Sequence, residues 1–321
     1  MRLRALSIDR ELRDVLLRGR VTGATFAVYD RVVYLRTLKG AMLVIAHMDV
    51  GNGPGFILVE HEGSLKNGYP SFYPDERFEC EKGLVKIGEE RIIVEAVRAA
   101  TWDPSFAPTG THRLGELETC LKIAREIAKS RARGVLGSLI GRLEDRCSHG
   151  RQRQNPQISD TALVVHEKVY ALAAALTRGC EIKVGEAAQR IIGLGEGLTP
   201  SCDDLLVGLV GFLCGARRVP FLEAYARRMI TRLGEVMKSP AERTTPVSAH
   251  FLSAAGRGRF AERVKELLEA IFAIDEKRVE RASERVLEYG ATSGVDLIYG
   301  MALGYEIAKT RLSLVARRLT Q

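Results

Sequence analysis

The chain changes its period near residue 105, and that change demands a fold with a β-rich part and a helical part in series. Before the change, short runs rich in Val and Ile are separated by Gly, Asn or Pro. Residues 25–37 read as a hairpin turning at Asp30 and Arg31. Residues 41–47, 56–60, 83–87 and 91–96 read as further strands. About six short strands in so short a span suggest a small closed or layered β unit. Residues 8–17 read as a short amphipathic helix, with Ile8, Leu12, Val15 and Leu16 on one face.

After Pro108 the apolar residues recur every three or four positions. Residues 115–130, 159–176, 184–192, 203–215, 220–237, 246–255, 261–272, 275–289 and 294–314 read as helices, with Pro, Gly, Ser or Thr at the breaks. The expected fold class is α+β. An N-terminal small β barrel or sandwich (residues 1–108) is followed by a C-terminal all-helical domain (residues 109–321) that carries a Gly-rich loop. Residues 102–108 read as the linker. No regular internal repeat and no low-complexity segment is expected.

Composition excludes several classes. Hydrophobic residues make up 46% and charged residues 27%, enough apolar surface for a packed core rather than a disordered chain. The 48 basic and 40 acidic side chains give 48 − 40 = +8. That modest excess concentrates at residues 129–133, followed by Arg142, Arg146, Arg151 and Arg153, without interleaved Tyr or Phe. Nucleic-acid binding is therefore not expected. No apolar run approaches the ~20 residues that span a bilayer, so no membrane association is expected. Six cysteines, none in a C-x-x-C pair, argue against a disulfide framework or a zinc knuckle. Cys147 and His149 form only a lone C-x-H, and no metal site or cofactor is expected. Together with the charged N-terminus, these features place the chain in the cytoplasm.

The most informative stretch is GLGEGLTPSCDDLLVG at residues 193–208. Three glycines in five residues precede a helix start, where backbone N–H groups and the positive dipole end suit an anion. Ser201 with Asp204 reads as a capping box; alternatively Thr199 caps and Pro200 opens the helix. Two later starts look similar. RTTPVS at residues 243–248 offers Thr245 as cap, Pro246 in the first turn and Arg243 just outside. ATSGVD at residues 291–296 offers Ser293 as cap and Asp296 as its box partner.

Such starts, with spare hydroxyls, could gather around one small anionic substrate. The substrate-binding set is then Gly195, Gly197, Thr199, Ser201, Arg243, Thr244, Thr245, Ser248, Thr292, Ser293, Gly294 and Asp296. Asp203 and Asp204 are the candidate catalytic groups, because a carboxylate beside an anion site can accept an amide N–H or act as a general base. In the β part, Asn52 and Gly53 of the Gly-rich segment at residues 49–55 could also reach a ligand. Gly208, Gly211 and Gly215 suggest a central, tightly surrounded helix fixing the loop.

These motifs, in this order and spacing, resemble a family that includes the AllH-type subunit of oxamate carbamoyltransferase. The family's usual first motif is GLGPGLTPSGDD; here Glu196 stands for the proline and Cys202 for the last glycine. The GNGPG at residues 51–55 and Trp102-Asp103-Pro104 extend the resemblance toward the N-terminus. The resemblance implies one subunit of a multi-subunit transferase, with other carbamoyltransferase subunits as partners. The reaction class it implies is carbamoyl transfer between carbamoyl phosphate and oxamate, giving oxalurate and phosphate. A non-catalytic small-anion-binding or scaffold subunit is the alternative, and self-association stays open. Glu196 adds negative charge where an anion would bind, and Cys202 restricts the backbone.

Overall fold

The computed structural model describes residues 1–61, 63–68, 71–108, 110–137, 140, 160–240 and 242–319. Arg142, Arg146, Cys147, His149, Arg151, Arg153 and the expected helix start at residue 159 lie outside them. The chain divides into two compact units, Met1–Ser105 and Phe106–Gln321.

The N-terminal unit is a closed barrel, which decides between the barrel and the sandwich. The strands are β1 (Arg2–Asp9), β2 (Val21–Val28), β3 (Val32–Thr37), β4 (Met42–His47), β5 (Phe56–Val59), β6 (Arg77–Glu81), β7 (Leu84–Ile87), β8 (Ile92–Glu95) and β9 (Ala100–Trp102). Their order is β5-β4-β3-β2-β6-β7-β8-β1, and β5 pairs back onto β1 to close eight strands. Closure leaves an interior just wide enough to be filled by side chains. Every second residue supplies them: Val33 and Leu35, Leu43 and Ile45, Ile57 and Val59, Val85 and Ile87, Ile92 and Val94 are all buried.

β1 holds the closure. Arg2, Leu3 and Arg4 pair in parallel with β8, while Ala5, Ser7 and Ile8 pair antiparallel with β5, across a register shift between Ala5 and Ser7. Beyond β8, Ser7–Asp9 pairs with β9 through Ala100, Thr101 and Trp102. The sequence reading missed β1, β6 and β9. It began the first helix at residue 8 and assigned Trp102 to a linker. The helix α1 (Arg10–Arg18) instead starts after Asp9, whose carboxylate accepts from the Leu12 N–H at 2.8 Å. Ile8 still faces inward, now as a strand residue.

The helical unit contains α2 (Glu118–Ser130), the single turn α3 (Gly134–Gly137), α4 (Asp160–Arg178), α5 (Glu181–Ile191), α6 (Ser201–Ala216), α7 (Glu223–Met237), α8 (Pro246–Ala255), α9 (Glu262–Phe272), α10 (Glu276–Leu287) and α11 (Ser293–Leu319). Phe106 belongs to this unit rather than to a linker. Its N–H donates to the Gly258 carbonyl at 2.9 Å and its ring packs on Phe260. Lys129 and Arg131 of the basic stretch pair at the surface with Glu126 and Glu284.

Every residue of α6 is buried, as an apolar helix at the centre of a bundle must be. Its glycines serve two neighbours. A Cβ at Gly208 would meet the Leu297 carbonyl of α11 at 2.0 Å, and a Cβ at Gly215 would meet the Phe272 ring of α9. On the facing helix, a Cβ at Gly300 would meet the Leu205 carbonyl at 2.1 Å. Thus α6 and α11 lie backbone on backbone. They run parallel, because contacts advance in the same direction from Leu205–Gly300 to Phe212–Gly304.

Candidate functional site

Because α6 and α11 are parallel, their N-termini lie side by side. The segment before α6 turns three times through positive φ, at Gly193 (80°), Gly195 (122°) and Gly197 (91°). Two of these glycines are needed for space as well. A Cβ at Gly193 would meet the Arg243 carbonyl at 1.9 Å, and one at Gly195 the Ser201 N–H nitrogen at 2.4 Å. A Cβ at Gly197 would meet nothing within 4 Å, and residues 195–198 are exposed.

Asp203 ties three segments together. Its Oδ1 accepts from the Gly193 N–H at 2.8 Å; its Oδ2 accepts from the Ser248 hydroxyl at 2.6 Å and from the Thr244 hydroxyl. The side chain is 1% exposed, and burial raises its pKa against the pull of these three donors. Thr245 caps α8, accepting from the Ser248 N–H at 3.1 Å while donating to the Leu198 carbonyl at 2.5 Å. Asp203→Ala leaves the buried Ser248 hydroxyl and the half-buried Gly193 and Thr244 donors without their acceptor. It is expected to destabilise the chain by about 3–5 kcal/mol in urea unfolding. A loss below ~1 kcal/mol would show that the carboxylate is not the tie.

The other two carboxylates are engaged quite differently. Asp204 is 8% exposed and Asp296 is 0% exposed. Oδ2 of Asp204 and both carboxylate oxygens of Asp296 have no hydrogen-bond partner. Burial drives Asp204 well above the usual carboxylate range, against nearby Ser293 and Thr199, and the charge of Asp296 adds to the rise. Burial likewise pushes Asp296 up to about 7, only partly held down by the hydroxyls of Ser201 and Thr292, which lie close without completing a well-aligned bond. Thr199 Oγ1 and Ser293 Oγ are 2.8 Å apart and join the two helix starts.

Two expected capping boxes are therefore not formed. α6 begins at Ser201 itself, behind Pro200, and no side chain caps it. Its Ser201 hydroxyl acts on Asp296 of α11, while Asp204 is approached by Ser293 of α11. Each helix start brings its hydroxyl close to the other's carboxyl. Close helix approach makes that exchange possible and outcompetes the local box.

The remaining expected residues are placed as follows. Gly294 is packed against α10, where a Cβ would meet the Val286 carbonyl at 2.4 Å. Arg243 is exposed, and its Nη1 donates to the Gln189 carbonyl at 2.9 Å near the end of α5. Cys202 points into the core, where burial pushes its thiol up to about 12. Asn52 and Gly53 lie in the barrel unit; Asn52 accepts from the Ser7 hydroxyl at 2.5 Å. Cavities of about 570 and 240 Å³ in the helical unit lie elsewhere, beside Ile123 and beside Arg217. Among the described residues no group of three or more His, Cys, Asp or Glu side chains could hold a metal ion, and no helix is long and apolar enough to cross a membrane.

Sequence reading also missed an internal likeness. Residues 201–208, SCDDLLVG, and residues 293–300, SGVDLIYG, share Ser, Asp, Leu and Gly at the same four positions of eight. Comparing the chain with itself would have revealed it.

The architecture is a β barrel unit joined in sequence to a helical unit whose parallel α6 and α11 present paired carboxyls and hydroxyls. The family model described as oxamate carbamoyltransferase subunit AllH matches residues 191–305, the stretch from the Gly-rich loop through the first half of α11. No solved structure matches the chain.

Proposed function

We propose that this chain is a subunit of an oxamate carbamoyltransferase-like enzyme and holds a small anionic amide at the gathered starts of α6, α8 and α11. The observation that carries the reading is the gathering itself. Ser248 of α8 bonds Asp203 of α6, and Thr199 before α6 bonds Ser293 of α11. These contacts fall inside the span matched by the family model.

In this reading the anionic end of the ligand takes the positive dipole ends of the helix starts and the joined hydroxyls of Thr199 and Ser293, with residues 195–198 as the exposed rim. Asp204 faces the ligand. Asp203, with both oxygens already engaged, positions the loop and the α8 start around it. Carbamoyl transfer from carbamoyl phosphate to oxamate needs positioning and charge stabilisation above all, and the rigid packing of α6 supplies the frame.

The test is reconstitution of carbamoyl transfer with the subunits that co-purify with the chain. Omitting the chain should abolish turnover. Thr199→Val should lower kcat/KM by about tenfold, the worth of one hydrogen bond to a charged group, without loss of assembly. Full turnover in the absence of the chain would refute the reading.

A further inference from the structure

The unused feature of the helical unit is the relation between its two like helix starts. In the eight-residue likeness, Ser201 corresponds to Ser293, Asp204 to Asp296, Leu205 to Leu297 and Gly208 to Gly300. The contacts obey the same correspondence. Gly208 packs on Leu297 as Gly300 packs on Leu205. Ser201 acts on Asp296 as Ser293 acts on Asp204. A local twofold between parallel helices requires such exchange. It sets two buried carboxyls as a pair at the point where two positive helix ends add.

That pair is not a finished structural network. Three of its four oxygens lack a hydrogen-bond partner although both side chains are at least nine-tenths buried. A buried polar atom without a partner is costly, and such atoms mark an absent donor. Besides Asp296, the charged group acting on Asp204 is Asp203 on α6; Lys168 on α4 acts on neighbouring Cys202, and α8 contributes the hydroxyls that bind Asp203.

Resting on the function proposed above, we infer that Asp204 and Asp296 form a paired-carboxyl clamp for the primary carboxamide end of the ligand. With one proton on the pair, the protonated carboxyl donates to the amide carbonyl and the ionised carboxylate accepts from the –NH2. A carboxylate in place of the amide presents only acceptors, and it would face a like charge. The clamp thus selects amide over acid.

The test is calorimetric titration of the full chain with oxamate and, separately, with oxalate, the same skeleton bearing a second carboxylate. Wild type should bind oxamate at least about tenfold more tightly than oxalate above about pH 7, with the ratio shrinking below it as Asp296 takes up its proton. Asp204→Asn and Asp296→Asn should bring the ratio close to one. Ser201→Ala removes a hydroxyl that holds Asp296 down, so the pH at which selectivity appears should move upward. This variant keeps the carboxyls, and it carries the test where an Asp variant fails to fold. A ratio independent of pH and unchanged in Ser201→Ala would overturn the clamp, while binding of both anions would leave the helix-start reading standing. Absence of binding by either anion would overturn both.

Discussion

Asp296→Asn is expected to raise the unfolding free energy at about pH 8 by about 4 kcal/mol and to leave it nearly unchanged below about pH 4. The folded-state value of about 7 lies some three pH units above the usual 3.8. Below 3.8 both states hold the proton, and burial has no electrostatic cost. Between 3.8 and about 7 the unfolded chain ionises while the folded chain keeps its proton, so stability is lost as pH rises. Asn is neutral throughout and escapes that loss. Its removal of charge also relieves Asp204, which Asp296 pushes upward. Urea unfolding at a series of pH values measures the effect, with m unchanged. Parallel stability curves for wild type and variant would show that the carboxyl is not desolvated. A substitution that stabilises a protein at its working pH marks a group kept for something other than stability.

Gly300→Ala should act in the opposite direction. Alanine is the better helix former by about 1 kcal/mol. Yet the new methyl would meet the Leu205 carbonyl at 2.1 Å, and the obstacle is backbone. The α6–α11 pair has to separate, exposing or loosening core contacts. A net loss of about 2–3 kcal/mol is expected, seen as a fall of roughly 5–10 °C in Tm for a unit of this size. Gly208→Ala meets the Leu297 carbonyl and should cost a similar amount. An unchanged or higher Tm for Gly300→Ala would mean that the helices are not in backbone contact.

The buried carboxyls at one end of α6 and the close packing along it belong together. Parallel helices place two positive ends side by side, an unfavourable arrangement that nearby carboxylates offset. The glycines bring the axes close enough for Ser201 and Ser293 to exchange partners. The same closeness buries Asp204 and Asp296 and raises their pKa. Packing and charge are thus consequences of a single helix pair, and the proposed ligand recognition rests on that pair.

Much of this protein was readable from local pattern. Alternation of apolar residues located β2, β3, β4, β5, β7 and β8, and the turn at Asp30-Arg31 held, with the Tyr29 N–H donating to the Val32 carbonyl at 2.8 Å. The helical period located the long helices within a few residues, and Thr245-Pro246 marked the start of α8 to the residue. Capping and periodicity are properties of neighbours along the chain, so the chain displays them. β1 and β9 escaped because their pairing partners are far away in sequence and their own alternation is interrupted, in β1 by the register shift at Ala5–Ser7. Barrel closure escaped for the same reason, since it rests on one long-range pairing of β1 with β5.

The residue types of the candidate site were legible in the sequence: Gly-rich loop, hydroxyls, and acids at the starts of α6 and α11. Their partners were decided only in three dimensions. Ser201-x-x-Asp204 and Ser293-x-x-Asp296 both have the spacing of a self-contained capping box, and nothing local forbids one. Glycine-to-backbone contact between the two helices brings Ser201 beside Asp296 and Ser293 beside Asp204, so each carboxyl lies near a hydroxyl of the other helix as well as one of its own helix start.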